Sequence, residues 1–204
     1  MRRLALLLVV LLTAGCTGSP DTRGPFPAGA DLVREAATSF ASVRSVHFAA
    51  GVNGVLQGFP LRQIEGDATL DDGGRATGTA DVQDGDGHTK FPFDVHDDPD
   101  SPYRVGAFLG PQGGLKRLLD GVTDAKTEGR ENVDDAPALR VGGKVPAAVA
   151  HSVLAQVDAD LTVKVWVADD GGPRRFVRLW VQIPPAGDHL SPVMIELSLT
   201  RQRP

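Results

Sequence analysis

Cysteine is almost absent from this chain: Cys16 is the only one in 204 residues, so no intramolecular disulfide can form. Long apolar runs are missing too. The longest, Leu4–Leu12, is far short of the ~20 residues that cross a bilayer as a helix. Aromatic residues amount to only 5%, and basic side chains are outnumbered, 21 Lys+Arg against 26 Asp+Glu, for a net charge of −5. An acidic chain without a basic patch argues against nucleic acid as a partner and against electrostatic docking on anionic lipid. No nucleophile elbow, phosphate loop, dinucleotide fingerprint or zinc-ligand pair occurs. The expectation is a non-enzyme without cofactor. Of the histidines, His47 falls on the polar side of its strand and His151 on a polar helix flank, where both read as solvated. The acidic segment with Asp84, Asp86, His88, His96, Asp97, Asp98 and Asp100 does not have calcium-loop spacing, so an acidic turn is expected there and no metal.

What is present begins at the N-terminus. Met1-Arg2-Arg3, the run LALLLVVLL and Thr13-Ala14-Gly15-Cys16 form the charged, apolar and small-residue parts of a secretory signal peptide. Small residues directly before a cysteine match a lipobox, with Thr13 standing where leucine is usual. Residues 1–15 are therefore expected to be a signal peptide and Cys16 the lipidated N-terminus. Two acyl chains on one residue hold a protein at a membrane, where one chain would be marginal. Residues 16–29 then form a Pro/Gly-rich tether, and 30–204 a single domain. The expected location is the extracytoplasmic face of the cell membrane. Loss of Arg2 and Arg3 with the leader makes the mature chain more acidic still, at −7.

Beyond the tether, Leu32, Ala36, Phe40 and Val43 recur at helical spacing and predict a helix over Asp31–Arg44. The period then becomes two, as in SVHFAAGV, and Asn53-Gly54 predicts a tight hairpin returning over Val55–Ile64. Further strands are expected over Asp67–Leu70, Ala76–Val82, Lys90–Val95, Ala125–Glu131, Ala138–Lys144, Leu161–Ala168, Arg174–Ile183 and Val193–Thr200. Two more helices follow from Leu115/Leu118/Leu119/Val122 and from Val149/Val153/Val157 behind Pro146. Trp166 and Trp180 alternate to the face opposite Val165, Val167, Leu179 and Val181, where half-burial is expected. The pattern is α+β, an antiparallel sheet with three short helices covering part of its apolar face.

Three stretches resemble a known family: SVHFAAGVNGVLQGFPLRQIEGDATL (Ser45–Leu70), GGLKRLLDGVTDAKTEGRENV (Gly113–Val133), and LRVGGKVPAAVAHSV with TVKVWVADDGG (Leu139–Val153, Thr162–Gly172). They are similar to the LppX/LprA/LprF/LprG actinobacterial cell-envelope lipoproteins, LprG-like members above all. The resemblance implies a LolA/LppX-like curved antiparallel half-barrel with short helices on its concave face, enclosing an apolar cavity. It also implies carriage of acylated lipids or glycolipids across the envelope, in some cases alongside a membrane exporter. Cys16 matches the family's lipidated cysteine. The match is interrupted over FPFDVHDDPDSPYRVGAFLG (Phe91–Gly110), which is shorter than in LprG-like chains and lacks their wall-forming hairpin.

Two functions therefore stand side by side. One is a lipid carrier whose candidate lining residues are Val46, Phe48, Val52, Phe59, Leu70, Phe91, Phe93, Leu118, Val165 and Leu179. The other is an anchored scaffold or sensor that binds a membrane transporter or receptor and carries no lipid. Each candidate is equally a plausible core residue.

Overall fold

The computed structural model describes residues 24–70, 74–85, 87–96, 105–187 and 190–204. Cys16, the signal peptide, the Asp71-Asp72-Gly73 turn, Asp86, Asp97, Asp98, Asp100 and His189 lie outside the described residues.

Helix α1 (Gly29–Phe40) opens the domain and is followed by strands β1 (Ser45–Asn53), β2 (Leu61–Thr69), β3 (Arg75–Asp84) and β4 (Gly87–His96). Helices α2 (Val105–Leu109) and α3 (Gly114–Asp120) come next. After them run β5 (Thr123–Val133), β6 (Ala136–Val145), α4 (Ala147–Val153), β7 (Leu161–Ala168), β8 (Phe176–Ile183) and β9 (Val193–Arg203). All nine strands join one antiparallel sheet in the order β4-β3-β2-β1-β9-β8-β7-β6-β5. The sheet stays open, with β4 and β5 as its two edges. Period-two burial follows the sequence pattern: Leu161, Val163, Val165 and Val167 are buried on β7, while Thr162, Lys164 and Trp166 alternate outward.

Helix α1 buries Leu32, Val33, Ala36, Ala37 and Phe40 against β5, β6, β7 and β8. Its first residue has to be glycine, because a Cβ at Gly29 would stand 2.8 Å from the Ala125 carbonyl carbon and the Lys126 nitrogen on β5. The chain leading into α1 is also laid on β5. Thr127 Oγ1 donates to the Pro27 carbonyl at 2.6 Å, and the Arg130 guanidinium lies over the Phe26 ring at 4.8 Å.

Several elements differ from expectation. Helix α1 ends at Phe40 and not at Arg44, since the Arg44 backbone is drawn into the sheet by bonds to Arg203 and Leu70, each 2.7 Å. Asn53-Gly54 does not form the tight hairpin. The register Val46↔Ala68 and Phe48↔Gly66 leaves residues 54–60 as a wider loop, which puts Leu56 in the core at 3% exposure. Val55–Ile64 and Asp67–Leu70 are accordingly not two strands, because β2 runs unbroken through Gly66-Asp67. Val157 lies beyond α4, although it is buried as expected. A fourth helix, α2, was not foreseen; five residues are too few to display a period.

Candidate functional site

Alternate residues of β1–β4, β6–β9 and part of β5 point to the concave side and form one apolar surface, but its two halves are covered differently. Over β5–β8 lies α1, with α3 packed on α1 and α4 on α3. There Leu139, Val141, Val163, Val165, Phe176 and Leu179 are buried, and Phe40 meets Phe176 edge-on at 6.4 Å between centroids.

The other half, β1–β4, is covered mainly by short α2 and by Leu56 from the β1–β2 loop. Its inner residues stand in rows across four strands: Val46-Ala68-Ala76-Val95, Phe48-Gly66-Gly78-Phe93 and Ala50-Ile64-Ala80-Phe91. The two middle strands thus contribute mostly glycine and alanine, and the outer two contribute aromatic or branched side chains except at Ala50. The glycines are obligatory where β2 and β3 close on each other. A Cβ at Gly66 would lie 2.2 Å from the Thr77 carbonyl oxygen, and one at Gly78 only 2.0 Å from that of Glu65. The result is an apolar trough floored by small residues. Toward β4 it is incompletely covered: Val52, Ile64, Phe93 and Val95 are half-buried and Phe91 is 40% exposed.

The candidate lining residues divide along this line. Leu118, Val165 and Leu179 belong to the helix-covered core, at 5%, 0% and 3% exposure. Val46, Phe48 and Leu70 are also buried, but on β1 and at the end of β2. Val52, Phe59, Phe91 and Phe93 lie on the incompletely covered side. Ile64, Ala68, Ala76, Val95 and Leu56 belong to the same surface and were not singled out. Small size hid the alanines, and only the register reveals the alignment of Ile64 and Val95.

The outer face is polar. His47 is not simply solvated: half-buried, it has Nδ1 3.0 Å from Asp67 and Nε2 3.4 Å from Glu65. Nor are the basic residues evenly spread, since Arg75, Arg201 and Arg203 gather with His47 round a shallow cleft of about 550 Å³. Charge balance alone did not disclose that cluster. Its charges are matched locally, Arg75 by Asp94 at 2.6 Å and Arg201 by Asp67 at 3.4 Å. The Arg75 guanidinium holds the Asp94 carboxyl below the usual carboxylate range by hydrogen bonding, and Asp94 raises Arg75 in return. Asp170 is lowered as well, first by the Gly172 backbone N–H and then by Arg175. Trp166 and Trp180 are half-buried on this face, Trp166 Nε1 donating to Glu131. No helix among the described residues is long and apolar enough to cross a membrane.

An open half-barrel with an apolar, unevenly covered concave face and a polar back defines the class of protein. Residues 28–202 match the LppX_LprAFG lipoprotein model, and the chain belongs to that family. Among its relatives, the lipoarabinomannan carrier protein LprG of Mycolicibacterium smegmatis is 30% identical over 186 residues, covering 81% of this chain and 79% of that one. The lipoarabinomannan carrier protein LprG of Mycolicibacterium hassiacum is 31% identical, covering 87% and 85%. LprF from Mycobacterium bovis superposes with a TM-score of 0.73 at 19% identity, over 87% of this chain and 94% of LprF. The lipoprotein LppX from Mycobacterium tuberculosis gives 0.60 at 18%, over 85% and 93%. At such identities the two structures share the fold.

Proposed function

We propose that this protein is a non-catalytic carrier, anchored through Cys16 on the outer face of the cell membrane, which takes the acyl chains of lipids or glycolipids onto the β1–β4 side of its half-barrel. The observation that carries this reading is the trough. An apolar surface that its own helices do not fully cover asks for another apolar body, and the long furrow of Gly66, Ala68, Ala76, Gly78 and Ala80 suits a chain-like one. That relatives are named as carriers of a lipid-linked glycan supports the same reading. Burying one CH₂ contributes ~0.8 kcal/mol, so a long acyl chain gains on the order of 10 kcal/mol against water. A bilayer offers about the same, and that near-balance lets a carrier both load and unload.

Leu56 occupies the open half and is 3% exposed. Its loop is held by Phe59 N–H donating to the Leu56 carbonyl at 3.0 Å, by Gln83 N–H donating to the Pro60 carbonyl at 2.8 Å, and by Gln156 Nε2 reaching the Gly58 carbonyl at 3.4 Å. Loading would displace Leu56 and leave the helix-covered half unchanged. A membrane exporter as partner belongs to the same reading, as does the tether expected over residues 16–29, of which Gly24, Phe26 and Pro27 pack against β5.

Purification from membranes, with mass spectrometry of organic extracts, tests it. Acylated lipid should co-purify in stoichiometric amount, and labelled fatty acid should enter the wild-type chain but not Cys16→Ala. A chain purified free of lipid, and refusing an added acyl probe, would favour the anchored scaffold instead.

A further inference from the structure

The back of the sheet carries a second cleft, of about 500 Å³, on the face opposite the trough. That volume is within the ~300–1,000 Å³ typical of small-ligand sites. Its floor is β1, where Ala49 and Gly51 present almost no side chain. A Cβ at Gly51 would have only the Arg62 carbonyl oxygen within reach, at 3.9 Å, so the furrow is open and unstrained. Trp180, Met194, Glu196 and Ser198 form one wall; Gln63 and Asp81 face them from β2 and β3.

The polar groups of the walls are braced by residues that do not line the cleft. His88 Nδ1 is 3.0 Å from Asp81, and Arg178 Nε donates to Ser198 Oγ at 2.9 Å and lies 3.4 Å from Glu196. Arg62 is tied to Gln83 at 3.0 Å. Lys164 sits 5.9 Å from the Trp180 ring centroid on the β7 side, and the other lining residues of the cleft lie on β9, β1, β2 and β3. Bracing of this kind keeps donors and acceptors oriented before a ligand arrives.

We infer that this cleft is a saccharide-binding site. An indole beside an amide, two carboxylates, a hydroxyl and a guanidinium offers an apolar plane together with forked donors and acceptors. A sugar ring presents the matching surfaces, C–H groups on its faces and hydroxyls round its edge. Glu196 is paired with Arg178 at 3.4 Å, and Arg62 shares the cleft with Asp81, which suits a neutral ligand. The arginine-lined cleft is a poorer candidate, because its lining contains no Trp, Tyr or Phe, and Arg75 and Arg201 are already paired with carboxylates. Because the cleft lies on the opposite face, the inference does not depend on lipid carriage.

The test is calorimetric titration of the full chain, purified from membranes in a detergent without a sugar headgroup. Linear manno- and arabino-oligosaccharides are the probes, with tryptophan fluorescence followed in parallel. Saturable binding is expected, with a change in emission. Gly51→Leu should fill the furrow and weaken binding at least tenfold, while the unfolding midpoint and acyl-probe uptake stay as in wild type. No saturable binding of either saccharide would overturn the inference, as would wild-type affinity in Gly51→Leu. Should that variant fail to fold, Gln63→Ala at an exposed position decides: a several-fold loss supports the site and unchanged affinity sinks it.

Discussion

The two halves of the concave face belong to one antiparallel sheet and are covered differently. In the β5–β8 half, branched side chains on the strands meet a twelve-residue helix whose buried face supplies Leu32, Val33, Ala36, Ala37 and Phe40, and the space is closed. In the β1–β4 half, the facing elements are mainly a five-residue helix and one leucine from a loop, and the two middle strands carry mostly Gly and Ala where the other half carries Val, Leu and Phe. One half is closed and stabilises the domain. The other leaves apolar surface incompletely covered. In the carrier proposed above, segregating the two roles lets a guest come and go without loosening what holds the fold together.

The largest effect expected from breaking this comparison is at Phe176, fully buried under α1 and packed on Phe40. Phe176→Ala should lower unfolding free energy by about 3–5 kcal/mol in denaturant titration. Acyl-probe affinity, measured below the unfolding transition, should change little. Phe93→Ala in the other half should do the reverse. Half-buried on the edge strand, Phe93 is expected to contribute about 1–2 kcal/mol to stability, yet its removal should cut acyl-probe affinity several-fold. Equal effects of the two substitutions on stability and on uptake would erase the distinction between the halves.

The smallest effect concerns the Arg75–Asp94 pair that ties β4 to β3. Asp94 is lowered by Arg75, so its share of stability is present above the ordinary carboxylate range, near pH ~4. That share is lost as pH falls through the lowered value. Asp94→Asn should therefore flatten the acid side of the stability–pH profile slightly, and an unaltered profile would show the pair to be idle. The pair is exposed and screened, so the change will be small.

Much of this was readable along the chain. Strand β7 runs over the residues its alternation marked, and the α1 face of Leu32, Ala36 and Phe40 is the one buried, because a half-buried element must repeat its apolar side chains at its own period. Gly66 and Gly78 carry no such signal. What each requires is set by a partner strand, and only the pairing makes clear that both are needed. Asn53-Gly54 misled for a related reason. Its local preference for a tight turn is worth less than seating Leu56 in the core, which demands the longer loop. The trough was legible only within a list of apolar candidates, which the fold alone divided between the two halves of the concave face.

The sequence by itself determined the antiparallel α+β class, the face of α1 that is buried and most of the segments that become strands. Each is a local property of periodicity, turn chemistry or composition. Only the tertiary structure decided which half of the sheet its helices cover, that glycines and alanines from two strands line up into a furrow, and that Trp180 borders an open cleft behind it. Those features arise from register and layer packing, which join residues far apart in the chain and leave no mark on any one segment.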